Sequence, residues 1–226
     1  MRSPVAEDRQ QRRLGLVAFL LVMFSLTWLP AAALDPLWPV AADPPSTQLL
    51  RASVLYAGLM TLQPLLALFV LSRFFGGATV ALGARRPRLG WRGYFLPRLM
   101  RELGPWTGLV AHGALWGLWY APLLLVTTGT GLTSLARCAA FVVTCSLLGI
   151  LLGWIRIAAK SVLVAASANA TLTICAALPL FLDGTSAPRT GIFLPVGWVP
   201  LGLAVLAILC TRHRRDIRDF VENDAR

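Results

Sequence analysis

Two histidines and ten acidic residues are few for a chain of 226 residues, and their placement limits the chemistry open to it. His112 stands in an apolar stretch, with Glu102 before it and Tyr120 eight positions after it. Activation of water needs a group that takes its proton near neutral pH, or a metal that lowers the pKa of bound water. Glu102 and His112 are the nearest titratable pair for that task, although eight helical positions turn His112 about 80° away from Tyr120. Tyr120, with an ordinary pKa of about 10, is a poor base. A Glu beside Arg101 is ordinarily solvated, and a lone His in a membrane helix ordinarily hydrogen-bonds a neighbouring helix. His213 lies among Arg212, Arg214 and Arg215 and reads as part of a basic tail held at an anionic leaflet. Cys138, Cys145, Cys175 and Cys210 all fall in apolar runs, with no CxxC pair and no adjacent His, so they read as small buried hydrophobes rather than metal ligands. No metal and no cofactor is expected. Ser161, Ser167, Asn169, Thr171 and Thr173 form a polar set on one apolar run, of the kind that ties membrane helices together.

The elements that must position these residues are membrane helices. Hydrophobic residues make up 57% of the chain and charged residues 14%, with a mean hydropathy of +0.68. Soluble domains carry roughly 25% charge and 45 to 50% apolar residues, so an ordinary soluble domain is excluded. The net charge of +11 comes almost wholly from Arg, Lys160 being the one Lys, and the basic residues lie between apolar runs rather than on one face. Nucleic acid is therefore not an expected partner.

A helix needs about 20 mostly apolar residues to cross a bilayer. Six runs qualify: Leu14 to Leu34, Ala52 to Ser72, Trp106 to Thr127, Cys138 to Ile155, Ser161 to Leu182 and Ile192 to Cys210. None holds an Asp or Glu. The first follows Arg9, Arg12 and Arg13 and ends near Ala31-Ala32-Ala33, like a secretory signal, but it is longer than the usual core of about 7 to 15 apolar residues and is expected to stay uncleaved. The basic residues alternate by loop. The N-terminus, the 73–105 segment, Arg156 with Lys160, and the tail after Cys210 are rich, whereas the opposite side holds Arg51, Arg137 and Arg189. Positive-rich loops stay inside, so a multi-pass protein of the cell membrane is expected, with both termini cytoplasmic. Residues 1–13 and 211–226 would be cytoplasmic flanks and 14–210 the membrane domain. Trp28, Trp38, Trp106, Trp154 and Trp198 fall near span ends, where indoles favour the headgroup region. Gly113xxxGly117 and Gly149xxxGly153 would let helices approach closely. The fold expected is all-α, a polytopic helix bundle.

Phe74 to Pro105, between the second and third spans, is basic yet also holds Trp91, Tyr94, Phe95, Leu96, Leu99 and Met100. That mixture suggests an amphipathic interfacial helix or a re-entrant element. Within it stands Leu89-Gly-Trp-Arg-Gly-Tyr-Phe-Leu-Pro-Arg-Leu99; farther on come Trp116-Gly-Leu-Trp-Tyr120-Ala-Pro122 and Gly153-Trp-Ile-Arg156 with Ser161 beyond it. In order and spacing these resemble the three motifs of the CPBP family, the CAAX-protease and bacteriocin-processing membrane proteins also called Abi. The first usually opens with Glu-Glu, the second carries a His shortly before Pro, and the third carries a His eight residues after its Ser.

The resemblance implies an intramembrane endopeptidase whose paired glutamates activate water, whose histidines assist, and whose Arg and a later Asn orient or stabilise the developing oxyanion. Here the acidic pair falls on Pro87 and Arg88, the two histidines on Tyr120 and Asn169, and the late Asn on Thr173. Of the polar reaction centre only Arg92 remains. The expectation is a proteolytically inactive relative, a pseudoenzyme with motifs in 87–173, whose inherited cavity binds a peptide, a partner helix or a lipid. Arg92, Tyr120, Asn169 and Thr173 are expected to converge. One alternative is an active protease with a rearranged site of Glu102, His112 and Tyr120. A small permease or channel subunit ranks below both, because the spans lack the acidic groups that couple ions.

Overall fold

The computed structural model describes residues 4–34, 91–128, 131–183, 195–210 and 217. The expected second span Ala52 to Ser72, the family-equivalent positions Pro87 and Arg88, and most of the basic tail lie outside the described residues. Among the described residues all regular structure is helical: α1 (Pro4–Leu34), a π-helical turn (Trp91–Phe95), α2 (Leu96–Leu103), α3 (Pro105–Trp119), α4 (Ala121–Thr128), α5 (Leu132–Ala158), α6 (Val162–Asp183) and α7 (Pro195–Cys210). The all-α helical bundle expected from the sequence is observed.

α1 shows how these helices face two apolar environments. Leu16, Phe19, Met23 and Thr27 recur every three or four positions and are buried against the bundle, whereas Leu14, Val17, Leu21, Trp28 and Leu29 point outward and are exposed. α5, α6 and α7 likewise expose Leu135, Val143, Leu163, Val164, Val199, Leu203 and Leu206. Large side chains of this kind spread over several helices suit a lipid surround and not water. The Arg12–Leu29 stretch and Leu132–Ala158 are each long and apolar enough to cross a membrane.

The third apolar run is not one helix. α3 stops at Trp119, Tyr120 closes it with an N–H to Gly117 O bond of 3.1 Å, and α4 restarts at Ala121. Pro122 is the reason: it lacks an N–H and its ring would clash with the carbonyl one turn back, so the chain breaks just before it and Pro122 sits in the first turn of α4. Tyr120 is thereby placed at a joint.

α3 and α5 make the broadest helix contact, and both glycine pairs lie in it. A Cβ on Gly113 would come within 2.6 Å of Ser146 Cα, and one on Gly149 within 2.7 Å of Gly113 Cα. Only an unsubstituted backbone fits this crossing. Trp198 donates from Nε1 to Thr144 Oγ1 at 2.9 Å and ties α7 to α5. A half-buried indole N–H needs an acceptor, and Thr144 supplies one.

Candidate functional site

The first-motif segment is inserted among the helices, with Gly93, Tyr94, Phe95, Leu96, Pro97, Leu99 and Met100 all buried. Several residues of the motif have a structural task. Phe95 stacks on Phe19 of α1 at 5.2 Å between ring centroids. Arg98 lies over the Tyr94 ring at 3.8 Å and donates to the Tyr94 carbonyl at 3.2 Å. Pro97 occupies the first turn of α2, where its missing N–H costs nothing. Gly104, at φ 89, turns the chain from α2 into α3. Residues 91–95 form a π-helical turn, a geometry common at functional sites.

Trp91 is the hub of this region. Its ring meets Phe19 at 5.5 Å, Phe95 at 5.4 Å, His112 at 5.9 Å and Trp119 at 5.5 Å. Trp119 Nε1 in turn donates to Thr27 Oγ1 and to the Met23 carbonyl, fastening α3 to α1. Arg92 turns the other way. Its Cζ stands 5.1 Å from the Trp116 ring centroid, a cation–π contact, and its charge acts on Tyr120, Cys145 and His112. Tyr120 is ringed by Trp116 at 6.0 Å, Trp119 at 5.3 Å and Phe141 at 5.7 Å. The structure thus brings Arg92, Tyr120 and His112 into one neighbourhood.

His112 is fully buried, with the Trp91 main chain as its hydrogen-bonding neighbour. Trp91 Nε1 and Arg92 Nε are buried without a hydrogen bond among the described residues. Glu102 does not serve His112. Its carboxylate accepts from Arg13 Nε at 2.7 Å and lies 3.6 Å from Arg12 Nε, both on α1. The Arg13 hydrogen bond, with the charges of Arg13 and Arg12 behind it, holds this carboxyl below its ordinary 4.5. Glu102 is also the sole acidic residue between Asp43 and Asp183, so the motif region has no other carboxylate of its own.

Asn169 is half-buried on α6, where its neighbours Ala168 and Leu172 pack against Leu148, Leu152 and Leu201. It gives no hydrogen bond to Arg92. Thr171 bonds back to the Ser167 carbonyl of its own helix at 3.0 Å. Thr173 lies on α6, and its side chain is outside the described ones. Among the described residues no three His, Cys, Asp or Glu side chains gather as a metal-binding group. Sequence reading alone missed Cys145 as a neighbour of Arg92 and missed Arg12 and Arg13 as the partners of Glu102. The first carries no local signal, since Cys145 arrives through the packing of α5 on Gly117. The second joins residues 89 positions apart.

The third-motif glycine also finds its reason here: a Cβ on Gly153 would strike the Leu109 side chain, which packs in one core with Leu96 and Met100 of the first motif. The three motifs are therefore one packed unit. No curated protein and no solved structure matches this chain. Residues 89–175, the segment that holds all three motifs, match the family model described as Type II CAAX prenyl endopeptidase Rce1-like.

Proposed function

We propose that this protein keeps the family's scaffold without its hydrolysis and uses the site around Arg92 to bind a peptide tail, a partner helix or a lipid. One observation supports the reading above all. The single carboxylate of the motif region, Glu102, is engaged by Arg13 and Arg12, so among the described residues no carboxylate stands beside Arg92, Tyr120 or His112 to activate water or orient a base. Pro87, Arg88, Tyr120, Asn169 and Thr173 stand where active relatives carry acid, base and amide groups. The setting proposed is the cell membrane, crossed six times by residues 14–210, with residues 1–13 and 211–226 cytoplasmic. Charge alternation between loops supports that orientation. Purified protein in detergent or nanodiscs should cleave neither a peptide library nor a prenylated CAAX peptide. Turnover that disappears in Tyr120→Phe or His112→Ala would overturn the reading.

A second reading draws on the position of His112. It is buried beside Trp91 and lies within the electrostatic reach of Arg92. An active endopeptidase with His112 as its base would need only an acceptor or a water at that ring. The same assay separates the two, because cleavage lost on His112→Ala but kept on Glu102→Gln belongs to this second reading alone.

A further inference from the structure

Among the described residues Arg92 makes no ion pair, and its Nε is buried without a hydrogen bond. The nearest acidic residue along the chain, Glu102, already serves Arg13 and Arg12. A cation withdrawn from water without a counter-ion is unfavourable until an anion joins it. Tyr120, within the electrostatic reach of Arg92, offers a hydroxyl. A positive centre beside a hydroxyl donor, with aromatic walls from Trp116 and Tyr120, is complementary to an oxyanion that has several acceptor oxygens and an apolar body.

The guanidinium fork matches two phosphate oxygens in parallel hydrogen bonds, which a point charge does not do. The segment that carries Arg92 also carries Arg98 and Arg101, and basic interfacial segments of membrane proteins meet anionic lipid at the cytoplasmic leaflet. Building on the binding role proposed above, we infer that the Arg92 site holds the phosphate of an anionic membrane lipid, with the Tyr120 hydroxyl as a further donor and the indole of Trp116 against its apolar part.

The test titrates the full-length, detergent-purified protein with four soluble probes: dihexanoyl phosphatidic acid, dihexanoyl phosphatidylcholine, inorganic phosphate, and a hexapeptide with a free C-terminal carboxylate. Binding is read by intrinsic tryptophan fluorescence and by the shift in thermal midpoint. Phosphatidic acid should bind about tenfold or more tightly than the other three, and Arg92→Gln should weaken it by a similar factor. Arg137→Gln, which removes an exposed charge on α5 outside the first motif, should leave it unchanged. Equal binding of inorganic phosphate would assign the site to a free anion, and equal binding of the hexapeptide to a peptide carboxylate; either result overturns the lipid assignment. So does Arg92→Gln with wild-type affinity. If Arg92→Gln does not fold, Arg92→Lys and the four-probe comparison on the unaltered protein decide. Peptide cleavage by the same preparation with phosphatidic acid still bound would sink the non-hydrolytic reading and leave the lipid site standing. Absence of binding without cleavage would sink the lipid site alone.

Discussion

Arg13 and Glu102 are 89 positions apart in sequence, and Arg13 Nε donates to Glu102 Oε2 at 2.7 Å, with Arg12 Nε 3.6 Å from the other oxygen. This pair joins the start of α1 to the end of α2, the helix that completes the first motif. It removes from the motif region the one carboxylate that could have assisted His112, and it anchors the buried aromatic face of α1 over Trp91.

Breaking the clasp should loosen α1 without unfolding the bundle. The Arg13 side chain is 66% exposed and that of Glu102 only 10%, so solvent screens one partner and the coupling should be about 0.5 to 1 kcal/mol. A double-mutant cycle of Arg13→Ala and Glu102→Gln, followed by thermal melts in detergent, measures it. The coupling should shrink in high salt.

The pH dependence of the clasp has a definite sign. Because the folded protein holds the Glu102 carboxyl below 4.5, the folded state binds fewer protons there than the unfolded one. The stabilisation is complete above the ordinary carboxylate value and is lost as pH falls from there through the lower folded value. Melts between pH 7 and pH 3 should show a loss that Glu102→Gln lacks. A variant that loses stability identically to wild type would assign the acid sensitivity to other groups.

The α3 and α5 crossing should reject side chains. Gly113→Ala and Gly149→Ala place a methyl against backbone atoms, with 2.6 Å to Ser146 Cα and 2.7 Å to Gly113 Cα. Each should cost about 1 to 3 kcal/mol, since backbone cannot move aside as a flexible side chain can. Gly202→Ala on α7, where nothing lies within 4 Å, should be close to neutral. Comparative unfolding in mild detergent checks both expectations.

Trp119→Phe should keep the aromatic packing on Trp91 and Tyr120 and remove the indole bond to Thr27 Oγ1. The expected loss is about 0.6 to 1.5 kcal/mol, the range of a single hydrogen bond between membrane helices or in a protein core. Thr27→Val should lose a similar amount, and the double variant little more than either. Full additivity would show that the two residues act independently.

Much of this architecture was legible in the chain itself. Apolar runs of about 20 residues, unbroken by Asp or Glu, make helices because a lipid surround leaves backbone polar groups no other way to be satisfied. The wording of residues 89–99, 116–122 and 153–161 carried the family resemblance, since those glycines, prolines and tryptophans answer local needs: a close crossing at Gly117 and Gly153, a first-turn proline at Pro97, an aromatic hub at Trp91. The replacements at Tyr120 and Asn169 were equally plain, because the identity of a side chain at a motif position is a fact of sequence.

Only the tertiary structure decided what those side chains meet. The break at Tyr120 lies in a run whose hydropathy is continuous, and only the backbone clash at Pro122 divides it. Glu102 reads from sequence as a solvated neighbour of Arg101, yet it is held by Arg12 and Arg13, because helix docking and not chain proximity chooses its partner. His112 points away from Tyr120 on an ideal helix, and still both stand within the electrostatic reach of Arg92, because the π-helical turn delivers Arg92 between them from a different segment. Periodicity along one helix determines which face a residue occupies; what fills the space opposite that face is settled only when the other helices arrive.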